Sequence, residues 1–377
     1  MEADMMLSRF KGCLVGALTG DCIGAKFEGQ SYVKLRHVLE HVEKINDNRL
    51  EQKKNGTRPA DVYCHTYTDD TAMLRSVAYS LLDKHSFDAR DMATRFAKEF
   101  DKEPQRGYGG NIPVVFKALL DPNLTDVFLP ASQQFDGRGS YGNGGAMRIA
   151  PAPLFTFVNN DISKLMHLVT DITRITHSHH LAINGAILQA LAVDQSLRLP
   201  VSSHVDADSF LDSLISKMRP VEEKNLNSSP SQQTKSGKPS RALDQNPTPY
   251  CAKLERMKEF LKDHSLSKST VVDELGTDVS ALGSVPAAIF AFLKSATQNI
   301  PKLEKVNSFE KSILYAISLG GDTDTVATMA GAIAGAFYGL ESIPEPWRYY
   351  CEGEADAECM AERFFEAFTS PASSNDQ

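Results

Sequence analysis

The stretch LGGDTDTVATMAGAIAGAFYG, Leu319 to Gly339, decides the fold class. From Val326 the apolar positions Val326, Met329, Ala330, Ile333, Ala334 and Phe337 follow the i, i+3, i+4, i+7 rule, which predicts a helix. Gly331 and Gly335 weaken a helix relative to alanine, so their presence predicts another element packed closely against it. Asp322, Asp324 and Thr325 crowd at its mouth. Capping explains one of them, because Asp and Thr satisfy free N–H groups at helix N-termini. The second aspartate, on so apolar a segment, needs a partner or a wet cleft, since unpaired buried charge is expensive.

The same period runs outward through the chain. Met6, Phe10, Cys13, Leu14 and Ala17 mark one helix, and Met73, Val77 and Leu81 mark another opening at Asp69 or Asp70. Further helices are expected over Phe87–Phe100, Leu165–Ile175, Ala182–Ala192, Leu254–Leu261, Val285–Leu293 and Glu310–Ser318. Convincing alternating strands are absent. The expectation is one all-α domain over residues 1–370. Residues 219–249, RPVEEKNLNSSPSQQTKSGKPSRALDQNPTP, read as a disordered insertion by their Ser, Pro, Gln, Asn and Lys content, and 371–377 as a disordered tail. With 377 residues, 42% hydrophobic, 23% charged and a net charge of −8, the composition is that of a soluble globular protein. Its acidic balance argues against general electrostatic binding to DNA or RNA. No apolar run is long enough to suggest a membrane span. The start, MEADMMLSRF, resembles neither a secretory signal nor a transit peptide. The cysteines at 13, 22, 64, 251, 351 and 359 form no C-x-x-C pair and read as reduced thiols of an intracellular protein.

A second stretch answers the first. In HTYTDDTAML, His65 to Leu74, the residues Thr68, Asp69 and Asp70 again stand at the start of an apolar helix. If the two helix ends face each other, four carboxylates and several hydroxyls surround one small volume. Oxygen ligands without Cys or His select Mg²⁺ or Mn²⁺ rather than zinc, and a shared carboxylate could hold two ions. Glu28, in GALTGDCIGAKFEGQ, is a third acidic candidate in a turn between Phe27 and Gly29. RGYGGN (106–111) and DGRGSYGNGGAMRIAP (136–151) are glycine loops whose N–H groups could surround phosphate oxygens. Phe135 and Tyr141 could stack on a base. The match of 137–142 to G-x-G-x-x-G is weak, because no strand precedes it. No P-loop occurs. THSHH, 176–180, lacks the cysteines or H-E-x-x-H of a zinc site and reads as a polar turn between helices.

Four blocks in this order, GALTGDCIGAKFEG, YTDDTAM, GRGSYGNGGAMRIAP and GGDTDTVA, resemble the ADP-ribosylglycohydrolase family. The likeness runs from about Phe10 to Phe368 outside 219–249, and is nearest to the vertebrate branch acting on serine-linked ADP-ribose and poly(ADP-ribose). The resemblance implies a compact helical fold with two Mg²⁺ ions, and Mn²⁺ as a substitute. It implies Thr68, Asp69, Asp70 and Asp324 as ligands of one ion, and Asp322, Asp324 and Thr325 as ligands of the other. Glu28 corresponds to the catalytic glutamate. Gly107, Ser140, Tyr141, Gly142 and Asn143 would receive the diphosphate and distal ribose, Phe135 and Tyr141 the adenine, and His177 a ribose. A water's proton could go to Glu28, Asp69 or Asp70. Substrates implied are ADP-ribosylated proteins, poly(ADP-ribose) and O-acetyl-ADP-ribose, handled by a monomer in cytoplasm and nucleus, with the mitochondrial matrix as a further compartment. Two other readings fit the acidic set less well. A helical metal-dependent phosphohydrolase usually carries a His-Asp dipeptide, absent here. A non-catalytic ADP-ribose reader would have no need of every acidic residue.

Overall fold

Close approach of two backbones sets the architecture. In the computed structural model residues 2–55, 65–200, 204–228 and 241–369 are described. The helices of eleven residues or more are α1 (Glu2–Gly24), α2 (Leu35–Asn55), α3 (Asp69–Lys84), α4 (Ala89–Lys102), α5 (Ile162–Arg174) and α6 (His180–Arg198). They continue with α7 (Ala207–Ser228), α8 (Pro249–Lys262), α9 (Ala281–Thr297), α10 (Ser308–Ser318), α11 (Thr323–Tyr338) and α12 (Glu354–Thr369). Among the described residues there is no strand, and only two isolated extended pairings occur, His65 with Cys351 and Gly142 with Ser280.

Helix α11 is the expected central helix, and every residue from Thr323 to Phe337 is buried. A helix apolar all round belongs inside a protein, and α11 packs against α1, α6, α9 and α10. Its glycines meet those of α1. A Cβ on Gly335 would lie 1.8 Å from the Gly12 carbonyl oxygen, and one on Gly331 would lie 2.1 Å from that of Gly16. The two backbones touch, which no larger residue permits. The contact ends where Thr323 Oγ1 donates to the Gly24 carbonyl at 2.9 Å. It therefore fixes the first turn of α11, with its aspartates, against the last turn of α1.

Two expectations need correction. The segment 219–249 is not disordered throughout: α7 continues to Ser228, α8 starts at Pro249, and a 3-10 turn spans Ala242–Gln245. Composition hid this because buried charges, rather than apolar residues, hold the segment. Glu222 is 2% exposed and accepts the N–H groups of Tyr250 and Cys251, both at 2.9 Å. It thereby satisfies the open N-terminus of α8. Lys253, fully buried, donates to the carbonyls of Leu275 and Leu282 and pairs with Asp244 at 2.8 Å. Residues 229–240 and the expected tail 371–377 lie outside the described residues. Helices α2 and α12 were not anticipated, because charged residues interrupt their apolar stripes.

Candidate active site

At the start of α3 the hydroxyl does the capping. Thr68 is extended (φ −94°, ψ −166°) and its Oγ1 accepts the Asp70 N–H at 3.3 Å. The carboxylates of Asp69 and Asp70 are thereby left for other work. The Asp69 N–H donates to the Arg106 carbonyl at 2.8 Å. Arg106 in turn stacks 3.9 Å from the Tyr67 ring and pairs with Glu103 and Glu352. Beneath lies Asp21 of α1, fully buried, which the sequence reading did not single out. Its carboxylate accepts the N–H groups of Thr68 and Thr71, and the Thr71 hydroxyl at 2.6 Å. A lone aspartate inside the apolar run LTGDCIG was the available signal.

At the start of α11 the aspartates also do not cap. Asp322 makes no side-chain capping bond; its Oδ2 accepts from Asn143 Nδ2 at 2.6 Å, and its N–H donates to the Thr277 carbonyl. Thr325 Oγ1 donates to Asp70 Oδ1 at 3.2 Å. The two helix ends thus face each other, which is the condition the shared acidic site required.

Two buried oxygens, Asp70 Oδ2 and Asp324 Oδ1, have no partner. One carboxylate oxygen from each of Glu28, Asp322 and Asp324 lies within 4.8 Å of the others. Burial, then the neighbouring carboxylates, pushes Asp69 up to about 8 and Asp324 up to about 10. Asp70 is raised by the same causes, and Glu28 by burial and the charges of Asp322 and Asp21. Crowded acids with orphaned oxygens are a site short of positive charge. Their all-oxygen donor set fits a hard divalent cation: oxygens of Glu28, Asp322 and Asp324 converge, and Asp69, Asp70 and Thr325 line the same cavity. Glu28 joins this set although the resemblance assigns it to catalysis.

The acids floor a cavity of about 260 Å³. Its wall includes Gly107, Phe135, Ser140, Gly142, Asn143 and His177, all expected, together with Arg148 and Tyr108, which were not. Thr68 and Tyr141 do not line it. The Thr68 hydroxyl accepts the Asp70 N–H, which leaves it a second lone pair. The Tyr141 ring stands half exposed, 5.9 Å from His179, while its carbonyl accepts the Ala281 N–H. Gly107 has φ +95°, and a Cβ placed on it would lie 3.6 Å from Asp69 Oδ1. Phe135 and Asp136 both sit at positive φ, 52° and 58°, and hold the half-exposed Phe135 ring at the rim.

His177 has a defined tautomer. Arg148, 1% exposed, donates to Thr176 Oγ1 at 2.6 Å. That hydroxyl lies 2.7 Å from His177 Nδ1. Arginine only donates, so the threonine accepts from it, and among the described residues its own hydrogen has no acceptor but Nδ1. Nδ1 is then the bare nitrogen and Nε2 carries the proton. Burial and the Arg148 charge push His177 down to about 3, so the ring is neutral. A Cβ on Gly144 would lie 2.6 Å from this ring, so the glycine loop closes directly over it. His179 caps α6 by accepting the Leu181 N–H and stacks on His180 at 4.3 Å, as a polar turn should.

The ADP-ribosylglycohydrolase family profile matches residues 2–373. ADP-ribosylhydrolase ARH3 of Gallus gallus is 46% identical over 96% of this chain and 94% of its own length. The proteins of that name from Danio rerio and Homo sapiens are 43% and 42% identical over 99% and 96% of this chain, each aligned over 94% of its own length. A solved structure described as an ADP-ribosylglycohydrolase-related protein complex superposes with a TM-score of 0.60 at 22% identity. It covers 97% of this chain and 100% of its own, and shows the shared fold. Helix ends that face each other across a floor of aspartates are thus joined to a family match spanning nearly every residue: the chain belongs to the ADP-ribosylglycohydrolase family.

Proposed function

We propose that this glycosyl-bond hydrolase is a Mg²⁺-dependent enzyme that releases ADP-ribose from modified serines and also cleaves poly(ADP-ribose) and O-acetyl-ADP-ribose. One observation carries the reading: partnerless carboxylate oxygens on the floor of a cavity whose wall is a glycine loop and a neutral histidine N–H. The electrostatics then orient the substrate. Pyrophosphate is repelled by the acidic floor and suits the glycine-loop wall, which Ser140, Gly142 and Asn143 line; the Gly142 and Asn143 N–H groups there already donate to Ser140 Oγ and the Val279 carbonyl. The distal ribose, uncharged and rich in hydroxyls, suits the floor.

Hydrolysis forms a bond from water oxygen to the anomeric carbon, breaks the C1–O bond to serine, and delivers a proton to the serine oxygen. The transition state resembles an oxocarbenium ion. Bound cations, two by the family resemblance and replaceable by Mn²⁺, would fix the ribose hydroxyls and raise the acidity of a water. Glu28 sits on the exposed turn nearest Asp322 and Asp324, and its pKa, raised by burial and by the charges of Asp322 and Asp21, suits a group that takes and returns a proton. Asp69 and Asp70, more deeply held, serve position. His177 Nε2–H is a donor for a ribose or phosphate oxygen. We place the enzyme as a monomer in cytoplasm and nucleus, with the mitochondrial matrix as a further site, reversing ADP-ribosylation linked to DNA damage.

Serine-linked and arginine-linked ADP-ribosyl peptides, each with Mg²⁺ and with EDTA, test the proposal. We expect release of intact ADP-ribose from the serine peptide only, abolished by EDTA and restored by Mg²⁺. Release from arginine instead, or AMP as product, would refute it.

A further inference from the structure

A second cavity, of about 650 Å³, lies between the start of α2, the turn after α8, the end of α9 and the turn Asn299–Lys302. Its lining holds Lys34, Arg36, Lys268, Lys294 and Lys302 and no carboxylate. That is anomalous in a chain with 48 acidic and 40 basic residues. Here Lys34, Arg36 and Lys302 are exposed and make no ion pair among the described residues. Lys302 is also held at φ +73°, an unfavourable conformation for a side-chain-bearing residue.

The inner wall is built rather than incidental. Lys268 Nζ donates to the carbonyls of Val33 and Ser318, at 3.2 and 2.8 Å, which leaves one hydrogen free. Lys294, 7% exposed, donates to Gln298 Oε1 and lies over the Phe290 and Tyr315 rings, with no ion pair among the described residues. Tyr315, 3% exposed, has a hydroxyl without any partner. Burial, then the Lys302 charge, pushes the Lys268 ammonium down, so an anion between them would be welcome. Of the acids nearby, Asp263 accepts from Ser265 and its charge also acts on Lys294, and Glu304 accepts the Lys302 N–H. Tyr32, 65% exposed, lies 5.5 Å from Lys268 Nζ and offers an open aromatic face beside the cations. Such a pairing suits a nucleotide, with phosphate on the lysines and base on the ring.

The groove and the acidic cavity lie close together along the chain. Glu28 lines one and Tyr32 the other, four residues and at most about 14 Å of chain apart. Gly29 and Gly321 tie the two sides, since Gly29 N–H donates to Gly321 O and Gly321 N–H to Gln30 O. Ser318, at the groove, leads within four residues to Asp322.

We propose that this groove is a second phosphate-binding site, which holds the pyrophosphate and adenine of a neighbouring unit in an ADP-ribose chain while another unit occupies the acidic cavity. The inference rests on the function proposed above. It makes polymer recognition partly separate from catalysis and sensitive to salt.

The test uses Lys34→Glu/Arg36→Glu/Lys302→Glu, three exposed positions outside the catalytic cavity. Turnover of a mono-ADP-ribosyl serine peptide should stay within twofold of the unaltered protein. The KM for ADP-ribose polymer should rise by about tenfold or more, and the slope of its logarithm against log salt should fall by about two to three. Binding of a labelled ADP-ribose oligomer in EDTA, where the acidic cavity is disabled, should likewise weaken. This second arm reads the groove even if no ADP-ribosyl substrate is turned over. Equal loss on both substrates, or no change in polymer KM and binding, overturns the proposal. So does tighter binding of a single-stranded RNA of equal phosphate number, which would make the groove a nucleic-acid site. Retained polymer binding in Tyr32→Ala, with tripolyphosphate as competitor, would overturn the adenine assignment.

Discussion

At the scale of single residues the site divides into groups that act and groups that hold. Glu28 is on a turn and within 4.8 Å of Asp322 and Asp324. We expect Glu28→Gln to bind ADP-ribose within about tenfold of the unaltered protein and to lose roughly 10²–10⁴ in turnover, the usual toll for a missing acid–base group. Calorimetry paired with single-turnover rates decides it; normal turnover would shift the role to Asp69 or Asp70. Thr176 holds. Thr176→Val removes the only hydrogen that His177 Nδ1 receives, so ¹⁵N shifts of His177 should change from the Nε2–H pattern toward a mixture, with ligand affinity falling about tenfold. Thr176→Ser should restore both. The acting residues were legible because Asp/Thr clusters on two apolar helices exceed what capping requires. Asp21 and Arg148 were not, since each is one charge in an ordinary-looking run. Their meaning comes from the partners they meet in space, Thr68 and Thr71 for the first, Thr176 for the second.

At the scale of elements the pairing of α1 with α11 governs the rest. Gly331 and Gly335 announced a close neighbour, but only the structure names it. Periodicity located both helices and is silent about which faces which. Gly335→Ala would put a methyl group 1.8 Å from the Gly12 oxygen. The backbones must part, at a loss of about 3 kcal/mol by urea unfolding, and Mg²⁺ affinity should fall with it because Asp324 and Asp21 are carried on the two helices. An unchanged affinity at reduced stability would show that the helix ends are positioned by something else. Helix α7 teaches the opposite lesson. Its continuation past Arg219 was read as disorder because polar composition normally means solvent, whereas Glu222 turns inward. Glu222→Ala should lose about 2–3 kcal/mol by removing two charge-assisted bonds to the α8 terminus.

At the scale of the molecule the acidic centre makes stability depend on what neutralises it. Asp69 and Asp324 have folded-state values near 8 and 10, far above their ordinary 3.8. A raised value favours folding while the group is protonated, so this contribution is full below about pH 4 and is lost as pH rises through 8 toward 10. In EDTA the melting temperature should therefore decline between pH 6 and 9. Mg²⁺ at a hundredfold its Kd should add about 2.7 kcal/mol and flatten that decline. Melting curves with and without chelator at several pH values check both, and an EDTA curve that rises with pH would contradict the charge-poor centre. The backbone-to-backbone seam has one more consequence, in time rather than in energy. Helix α1 leaves the ribosome before its partner α11, which follows roughly 300 residues later. At about 5–20 residues per second that is a wait of ~15–60 s. During it the glycine face of α1 has nothing of the right shape to touch. Nascent chains stalled before Thr323 should thus remain bound to chaperones and take up no Mg²⁺, and those stalled after α11 emerges should let go.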